Sequence, residues 1–341
     1  MNGWNCVVGH EWAVELLKSA IANGSTGHAY LITGAEQIGK TTLARTFAQA
    51  LNCEAAAEKR PCGQCRSCRL IADDRHPDVR LVEPEVSARG KLTIKIERIR
   101  ELQQELNLSS YEARKRIAIL KRFDTANLNA ANSFLKTLEE PPQKVVLMLT
   151  ANDADSLLPT IASRCRTIGL RPLPATVIEE SLMARWGVHA EEAQVLARLA
   201  DGRLGWAVAA SKDEKILAER QKQLAHLREA LDGNRVRRFA LADKLARKPE
   251  LLPELLKTWL SWWRDLALLA YRKDNIGPIV PIANVDQRQQ LLSLSEKWRR
   301  EQILASFKQT DLALWQLGRN GNTRLVLENL FLIYPGQVRS I

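Results

Sequence analysis

The chain has 341 residues, 45% of them hydrophobic, with 50 Lys and Arg against 39 Asp and Glu and a formal net charge of +11. That length predicts two or three domains with ample material for packed cores, and the basic balance suits work near nucleic acid. No long basic run occurs, so a solvated basic surface accounts for the charge as well as a nucleic-acid track does. No stretch of about 18 apolar residues is present, which excludes a helical membrane span. Residues 1–6, Met-Asn-Gly-Trp-Asn-Cys, lack a basic segment leading into an apolar one, so no secretion signal is expected and a cytoplasmic location is.

In chain order, the apolar run Ala29-Tyr30-Leu31-Ile32 predicts a strand, and Gly34-Ala-Glu-Gln-Ile-Gly39-Lys40-Thr41 follows it. This segment matches G-x-x-x-x-G-K-[ST] at every fixed position. Residues 42–51 then carry helical spacing, with Leu43, Phe47 and Leu51 on one face. Strand, glycine loop and helix together are the context that a phosphate loop requires. The glycines let the backbone wrap a phosphate, and amide N–H groups at the helix N-terminus point at it. Gly34, Gly39, Lys40, Thr41 and Thr42 are therefore the candidate nucleotide-phosphate residues. In this motif Lys40 would reach the outer phosphates and Thr41 would hold Mg²⁺.

The cysteines come next. Cys53 closes the helix after the loop, and Cys62-Gly-Gln-Cys65-Arg-Ser-Cys68 lies on a polar, turn-rich insert. Four clustered thiolates suit tetrahedral Zn²⁺, and C-x₂-C steps let one turn offer several sulfurs to one ion. A disulfide pair is disfavoured in a reducing compartment. An iron–sulfur cluster is the sharper rival, but those motifs continue to a Cys followed by Pro, and here Arg69-Leu70-Ile71 follows. With no open ligand position evident, the metal would be structural. Cys6 and Cys165 stand alone and read as packed thiols.

Residues 79–82 predict a second strand, 95–108 an amphipathic helix with Ile96, Ile99, Leu102 and Leu106 inward, and 117–120 a third strand. Phosphate-loop hydrolases carry a metal-binding Asp at the end of such a strand. Here Lys121-Arg122 stands there, and Asp124 lies farther on. Two cations beside Mg²⁺ would repel it. The chain thus reads as able to bind a nucleotide and poorly equipped to cleave it. Residues 127–140 predict a helix stopped by Pro141-Pro142, and the apolar run 145–149 predicts a strand covered on both faces. Thr150, Asn152 and Asp153 follow at its end, where open α/β sheets bind ligands.

Strands alternating with helices to about residue 170 predict a P-loop α/β domain. Arg171-Pro-Leu-Pro-Ala175 is a stiff linker, short helices run to about 210, and long helices follow at 212–232, 235–247, 251–272, 287–317 and 322–334, with a loop at Pro278 and Pro281. Trp259, Trp262 and Trp263 fall on one helical stripe that continues as Leu266 and Leu269, which favours bundle core over a base-stacking face.

Several of these segments resemble one family. Ser133-Phe-Leu-Lys-Thr-Leu-Glu-Glu-Pro-Pro142 is similar to a segment shared by the bacterial AAA+ clamp-loader subunits, and Ser163-Arg164-Cys165 resembles their SRC motif. The cysteine insert resembles their zinc module. The resemblance implies an AAA+ P-loop domain over 1–170 with a zinc module at about 53–68, a helical lid over 171–210 and an all-α collar over 211–341. The last helix, 322–333, is similar to those that form the collar. The motor subunit (gamma or tau) carries paired acids after the third strand and an Arg in a lid motif of the form Gly-Ser-x-Arg. Here Lys121-Arg122 replaces the acids, and Gly205 of Gly202-Arg203-Leu204-Gly205 replaces the Arg, although Arg203 could partly substitute. Both departures resemble the delta-prime type of DNA polymerase III clamp-loader subunit.

The resemblance implies that Arg164 is an arginine finger for the ATP of a neighbouring motor subunit. It implies as partners that motor, the delta subunit, the sliding clamp and primed DNA. Two other readings stand beside it. One is an active AAA+ ATPase, a motor or helicase loader using Asp124 or Glu139, and the other is a stand-alone DNA-binding or redox protein built around the cysteines.

Overall fold

The computed structural model describes residues 3–87, 92–107, 113–272, 281–319 and 321–336. Pro278, expected in a loop, and Leu108, expected to end a helix, lie outside these residues. The described residues divide into two compact units, one of residues 1–177 with 202–205, the other of residues 178–201 with 206–341.

The first unit is built on a five-stranded sheet. In chain order its elements are α1 (Glu11–Ala22), β1 (Ala29–Thr33), α2 (Lys40–Asn52), α3 (Arg66–Ala72), β2 (Val79–Val82), the short pair β3 (Glu85–Val86) and β4 (Leu92–Thr93), α4 (Ile96–Asn107), β5 (Arg116–Leu120), α5 (Leu128–Glu139), β6 (Val145–Ala151), α6 (Pro159–Ala162) and β7 (Arg166–Gly169). The strand order is β2-β5-β6-β1-β7, parallel throughout, and β3 and β4 pair separately as an antiparallel hairpin.

Parallel strands need helices on both faces, and the apolar sequence supplies two cores. Tyr30, Ile32, Ile117, Ile119, Val146 and Met148 pack on one face with Leu43, Phe47 and Leu51 of α2. Ala29, Leu31, Ala118, Leu120, Leu147 and Leu149 pack on the other with Leu102 of α4 and Phe134 of α5. Ile99, Leu102 and Leu106 are buried as the period of the sequence predicts, with Ile96 partly buried at the start of the helix. Asn127 caps α5 by accepting from the Ala130 N–H.

The second unit is helical among its described residues: α7 (Ala175–Trp186, most of it in this unit), α8 (Ala190–Leu199), α9 (Leu204–Ala210, from Trp206 onward), α10 (Glu214–Asp232), α11 (Arg235–Ala246), α12 (Leu252–Arg272), α13 (Arg288–Lys297), α14 (Arg300–Gly318) and α15 (Thr323–Ile333). The helix expected over 287–317 is two helices. Trp298 leaves the helical backbone at φ −102°, ψ 145°, and at the start of α14 Gln302 Oε1 accepts from the Arg299 N–H at 3.1 Å. Trp259, Trp262 and Trp263 are all buried in this unit's core beside Phe331 and Tyr334, as the aliphatic continuation of their stripe predicts.

A candidate nucleotide site, a thiol cluster and Arg164

The sheet order puts β1 between β6, which precedes it in the ladder, and β7, which the chain reaches last. The connection from β1 leads toward β2 at one edge of the sheet, whereas that from its neighbour β6 crosses β1 to β7 at the other. In an open α/β sheet such a switch point opens a crevice at the carboxyl ends of the strands, and ligands bind there. The phosphate loop leaves β1 at this end. Gly34 has φ 139° and Gly39 φ 116°, conformations that L side chains rarely adopt. A Cβ at Gly34 would stand 2.7 Å from the Leu170 carbonyl oxygen, whereas one at Gly39 would meet open space. Gly39 is the N-cap of α2, and no side chain caps the first turn. Its N–H groups are thus available to an anion. Lys40 is buried and its Nζ donates to the carbonyl oxygens of Gly34 and, at 2.8 Å, Ala35. Thr41 and Thr42 follow in the same turn, partly buried.

The end of β5 faces this loop and carries cations, as its sequence requires. The Lys121 ammonium pairs with Glu83, and Arg122 Nη2 lies 2.9 Å from Glu36 Oε1 inside the phosphate loop. Arg122 has φ 49° and ψ 53°, and its N–H donates to Thr150 Oγ1 at 3.0 Å. That bond ties the β5 end to β6 and sets the direction of the residue. Asp124 lies in the 3₁₀ turn Phe123–Thr125, and its Oδ2 accepts from Asn152 Nδ2 at 3.2 Å. Burial pushes its carboxyl pKa up, against the pull of Arg122 and Lys40. Asp124 Oδ1 and Arg122 Nε are buried without a partner among the described residues.

The acid set that would ligate Mg²⁺ therefore does not fit. Glu36 is paired with Arg122, and Asp124 is desolvated beside a guanidinium. The loop itself, with its glycines, Lys40 and open helix end, fits a nucleotide's phosphates.

Two features of the site escaped the sequence reading. Glu36 is one; an acid inside the loop with two cations at a facing strand end was the available signal. Gly205 is the other. Its N–H donates to the Gln37 carbonyl at 2.8 Å, and a Cβ there would stand 2.6 Å from that oxygen. The missing side chain at Gly205 lets this backbone touch the loop. Nothing in the sequence signals that contact.

The thiols of Cys53, Cys62, Cys65 and Cys68 do come together, all within 4.8 Å of one another. Cys53 is the C-cap of α2, Cys65 is the N-cap of α3 and Cys68 sits in its first turn. Backbone N–H groups point at the sulfurs: Cys62 N–H to Cys53 Sγ (3.3 Å), Cys65 N–H to Cys62 Sγ (3.3 Å) and Cys68 N–H to Cys65 Sγ (3.4 Å). The N–H groups of Cys65 and Gln64 lower the Cys62 thiol to about 6, while burial raises Cys53 and Cys68. A set of sulfurs only, partly buried and already solvated by amides, fits a thiophilic cation such as Zn²⁺.

Arg164 lies elsewhere. It follows α6 and precedes β7 by two residues. β7 runs parallel to β1 with Tyr30 opposite Arg166 and Thr33 opposite Gly169. Arg164 is therefore at the amino end of the sheet, and the phosphate loop is at the carboxyl end, roughly 13 Å of strand away for four residues. Its guanidinium donates to the Thr160 carbonyl at 2.9 Å and pairs with Glu139 at 2.7 Å. Glu139 belongs to the Ser133–Pro142 segment, so the two segments that carried the resemblance meet here.

Comparison with known proteins decides the family. A chain described as DNA polymerase III subunit delta′ from Bacillus subtilis (strain 168) is 31% identical over 332 residues, covering 94% of both chains. The chain belongs to the DNA polymerase III delta′ family. A family model described as DNA polymerase III, delta subunit, matches residues 9–174. A DNA polymerase III subunit tau from Salmonella typhimurium (strain LT2) is 29% identical over 308 residues, 84% of this chain and 47% of that one, so the delta′-family chain spans about half of the tau chain. A solved gamma subunit-related protein of Thermotoga maritima aligns over 94% of this chain and 98% of that one, at 19% identity and a TM-score of 0.45. Among the described residues of this delta′-family member, no helix is long and apolar enough to cross a membrane.

Proposed function

We propose that this chain is a delta′-type subunit of the DNA polymerase III clamp loader, an ATP-dependent complex that places the sliding clamp on primed DNA. In this reading residues 1–170 are the AAA+ P-loop domain with its zinc module, 171–210 the lid and 211–341 the collar. Its partners are the gamma/tau motor and the delta subunit, and it works in the cytoplasm. The phosphate loop binds nucleotide through Gly34, Gly39, Lys40, Thr41 and Thr42 without turning it over, and Cys53, Cys62, Cys65 and Cys68 hold a structural Zn²⁺.

Arg164 acts in trans. The observation that carries this role is that Arg164 stands at the amino end of β7, opposite the chain's own phosphate loop. It therefore serves a nucleotide held by a neighbour. A guanidinium offers planar paired donors to phosphate oxygens and stabilises charge on the transferring phosphoryl group. To do so it exchanges Glu139, an exposed partner, for that phosphate.

Reconstitution with motor and delta subunits tests the reading. DNA-stimulated ATPase and clamp loading that both require this chain are expected. Steady ATP turnover by the isolated chain, abolished by Lys40→Ala, would replace the reading with that of an active ATPase.

A further inference from the structure

We propose that the phosphate loop takes a nucleoside triphosphate without a divalent cation, with the Arg122 guanidinium supplying the charge that a metal would supply. The proposal rests on the reading above of this loop as a site that binds and does not hydrolyse, and it adds how the phosphate charge is met.

Four ionisable side chains surround the open end of the loop: Lys40, Arg122, Glu36 and Asp124. A metal would need oxygen ligands in near-octahedral geometry. Glu36 is paired with Arg122 at 2.9 Å, and Asp124 Oδ2 accepts from Asn152 at 3.2 Å, which leaves Asp124 Oδ1 as one buried oxygen, too few for such a set. A divalent ion at Glu36 would compete with the Arg122 guanidinium already paired there and be repelled by it. A phosphate chain meets the opposite situation. Lys40 and Arg122 supply two cations, and the uncapped first turn of α2 supplies N–H donors.

Arg122 is held for this role by its backbone. The left-handed conformation and the N–H bond to Thr150 turn it from the end of β5 toward the loop. Its Nε is buried with no partner among the described residues, although Nη2 is paired. A guanidinium with one arm unsatisfied gains a donor–acceptor pair when an oxygen arrives. The planar fork then matches two phosphate oxygens, which a Lys cannot do. Glu36 is the exchangeable partner: it neutralises Arg122 in the free loop and gives way to the more highly charged phosphate chain.

The test is a titration of the full chain with a fluorescent ATP analogue. It is run in buffer freed of divalent cations by resin, with zinc content checked, and again in millimolar Mg²⁺. The expected result is the same Kd within about twofold in both buffers, because no metal site is completed. Arg122→Ala is expected to weaken binding at least tenfold, about the worth of one charge-assisted pair. Glu36→Gln, which frees Arg122, is expected to tighten it. Arg122→Asp restores an acid at the strand end and should make binding depend on Mg²⁺. Melting curves of each variant separate a lost site from a lost fold. Wild-type binding that requires Mg²⁺, an unchanged Kd in folded Arg122→Ala, or no nucleotide binding at all overturns the proposal. None of these results bears on the Arg164 role, which is read from ATPase of the assembled complex.

Discussion

At the scale of single residues, Arg164 and Asp124, at opposite ends of the sheet, differ in exposure and in what a substitution should do. The Arg164–Glu139 pair is partly exposed, and such pairs contribute about 0–1 kcal/mol. Arg164→Ala should therefore shift Tm little and leave assembly by gel filtration intact, while DNA-stimulated ATPase of the assembled complex falls, by up to about 10³-fold if the finger contributes as such residues do elsewhere. Arg164→Lys should rescue poorly. Normal ATPase in a fully assembled variant complex would remove the finger role. Asp124 is the opposite case, a carboxyl whose pKa burial raises above 3.8. The folded chain holds that proton more tightly than the unfolded chain, so stability falls as pH rises through the window above the unfolded pKa. Asp124→Asn should consequently raise Tm at pH 7, and the gain should vanish below about pH 4. A Tm difference that is independent of pH would mean that the carboxylate is not the source of the cost.

At the scale of elements, the cysteine insert and the last helix are each held by a few polar groups. Cys53, Cys65 and Cys68 sit at the end of α2 and the start of α3, so a bound Zn²⁺ would clamp two helices at their termini. Purified protein should contain about one Zn²⁺ per chain. Cys65→Ser should lose it and lower Tm, roughly 2–4 °C for each kcal/mol, while nucleotide affinity changes less. Iron in the elemental analysis, or no metal in reduced protein, would reject the assignment. In the helical unit, Arg238 of α11 is buried and donates to the carbonyl oxygens of Phe331 (2.6 Å), Tyr334 (2.8 Å) and Pro335 (3.0 Å) at the end of α15. Its desolvation lowers its pKa, yet it closes carbonyls that the helix leaves open. Arg238→Ala should cost about 3 kcal/mol, measured by chemical unfolding, because those acceptors stay buried. A loss under about 1 kcal/mol would show that water replaces the guanidinium there.

At the scale of the whole molecule, a chain whose phosphate loop faces Lys121 and Arg122 at the end of β5 is expected to act as a component of a larger assembly. The end of β5 is committed to ion pairs with Glu83 and Glu36, so the isolated chain is expected to show no ATP turnover above background, with or without DNA. The complex with motor and delta subunits should turn over ATP in response to primed DNA. Measured together, the two rates separate a contribution in trans from activity of the chain itself.

The sequence by itself determined a good part of this. Local chemistry wrote the phosphate loop: glycines at two of its three positive-φ positions, an apolar strand before it and an amphipathic helix after it. The buried faces of α4 and α5, the apolar β6 and the tryptophan core of α12 follow from period and burial alone. The cysteines were legible as one cluster because three of them fall on two C-x₂-C steps. The short strand β7, with Arg and Thr at its exposed positions, was not legible, because its identity comes from pairing with β1 rather than from its own pattern. Helix α1 carries Trp12 and Leu16 in solvent, which blurs its apolar face. The break between α13 and α14 lies at the extended Trp298, with Gln302 Oε1 accepting from the Arg299 N–H, within a continuous helical pattern. Only the tertiary structure decided that β1 lies at the switch of the sheet, that Glu36 meets Arg122, and that Arg164 stands at the far end from the loop. Each of these joins residues distant in sequence across parallel strands, and no local preference encodes which strands become neighbours.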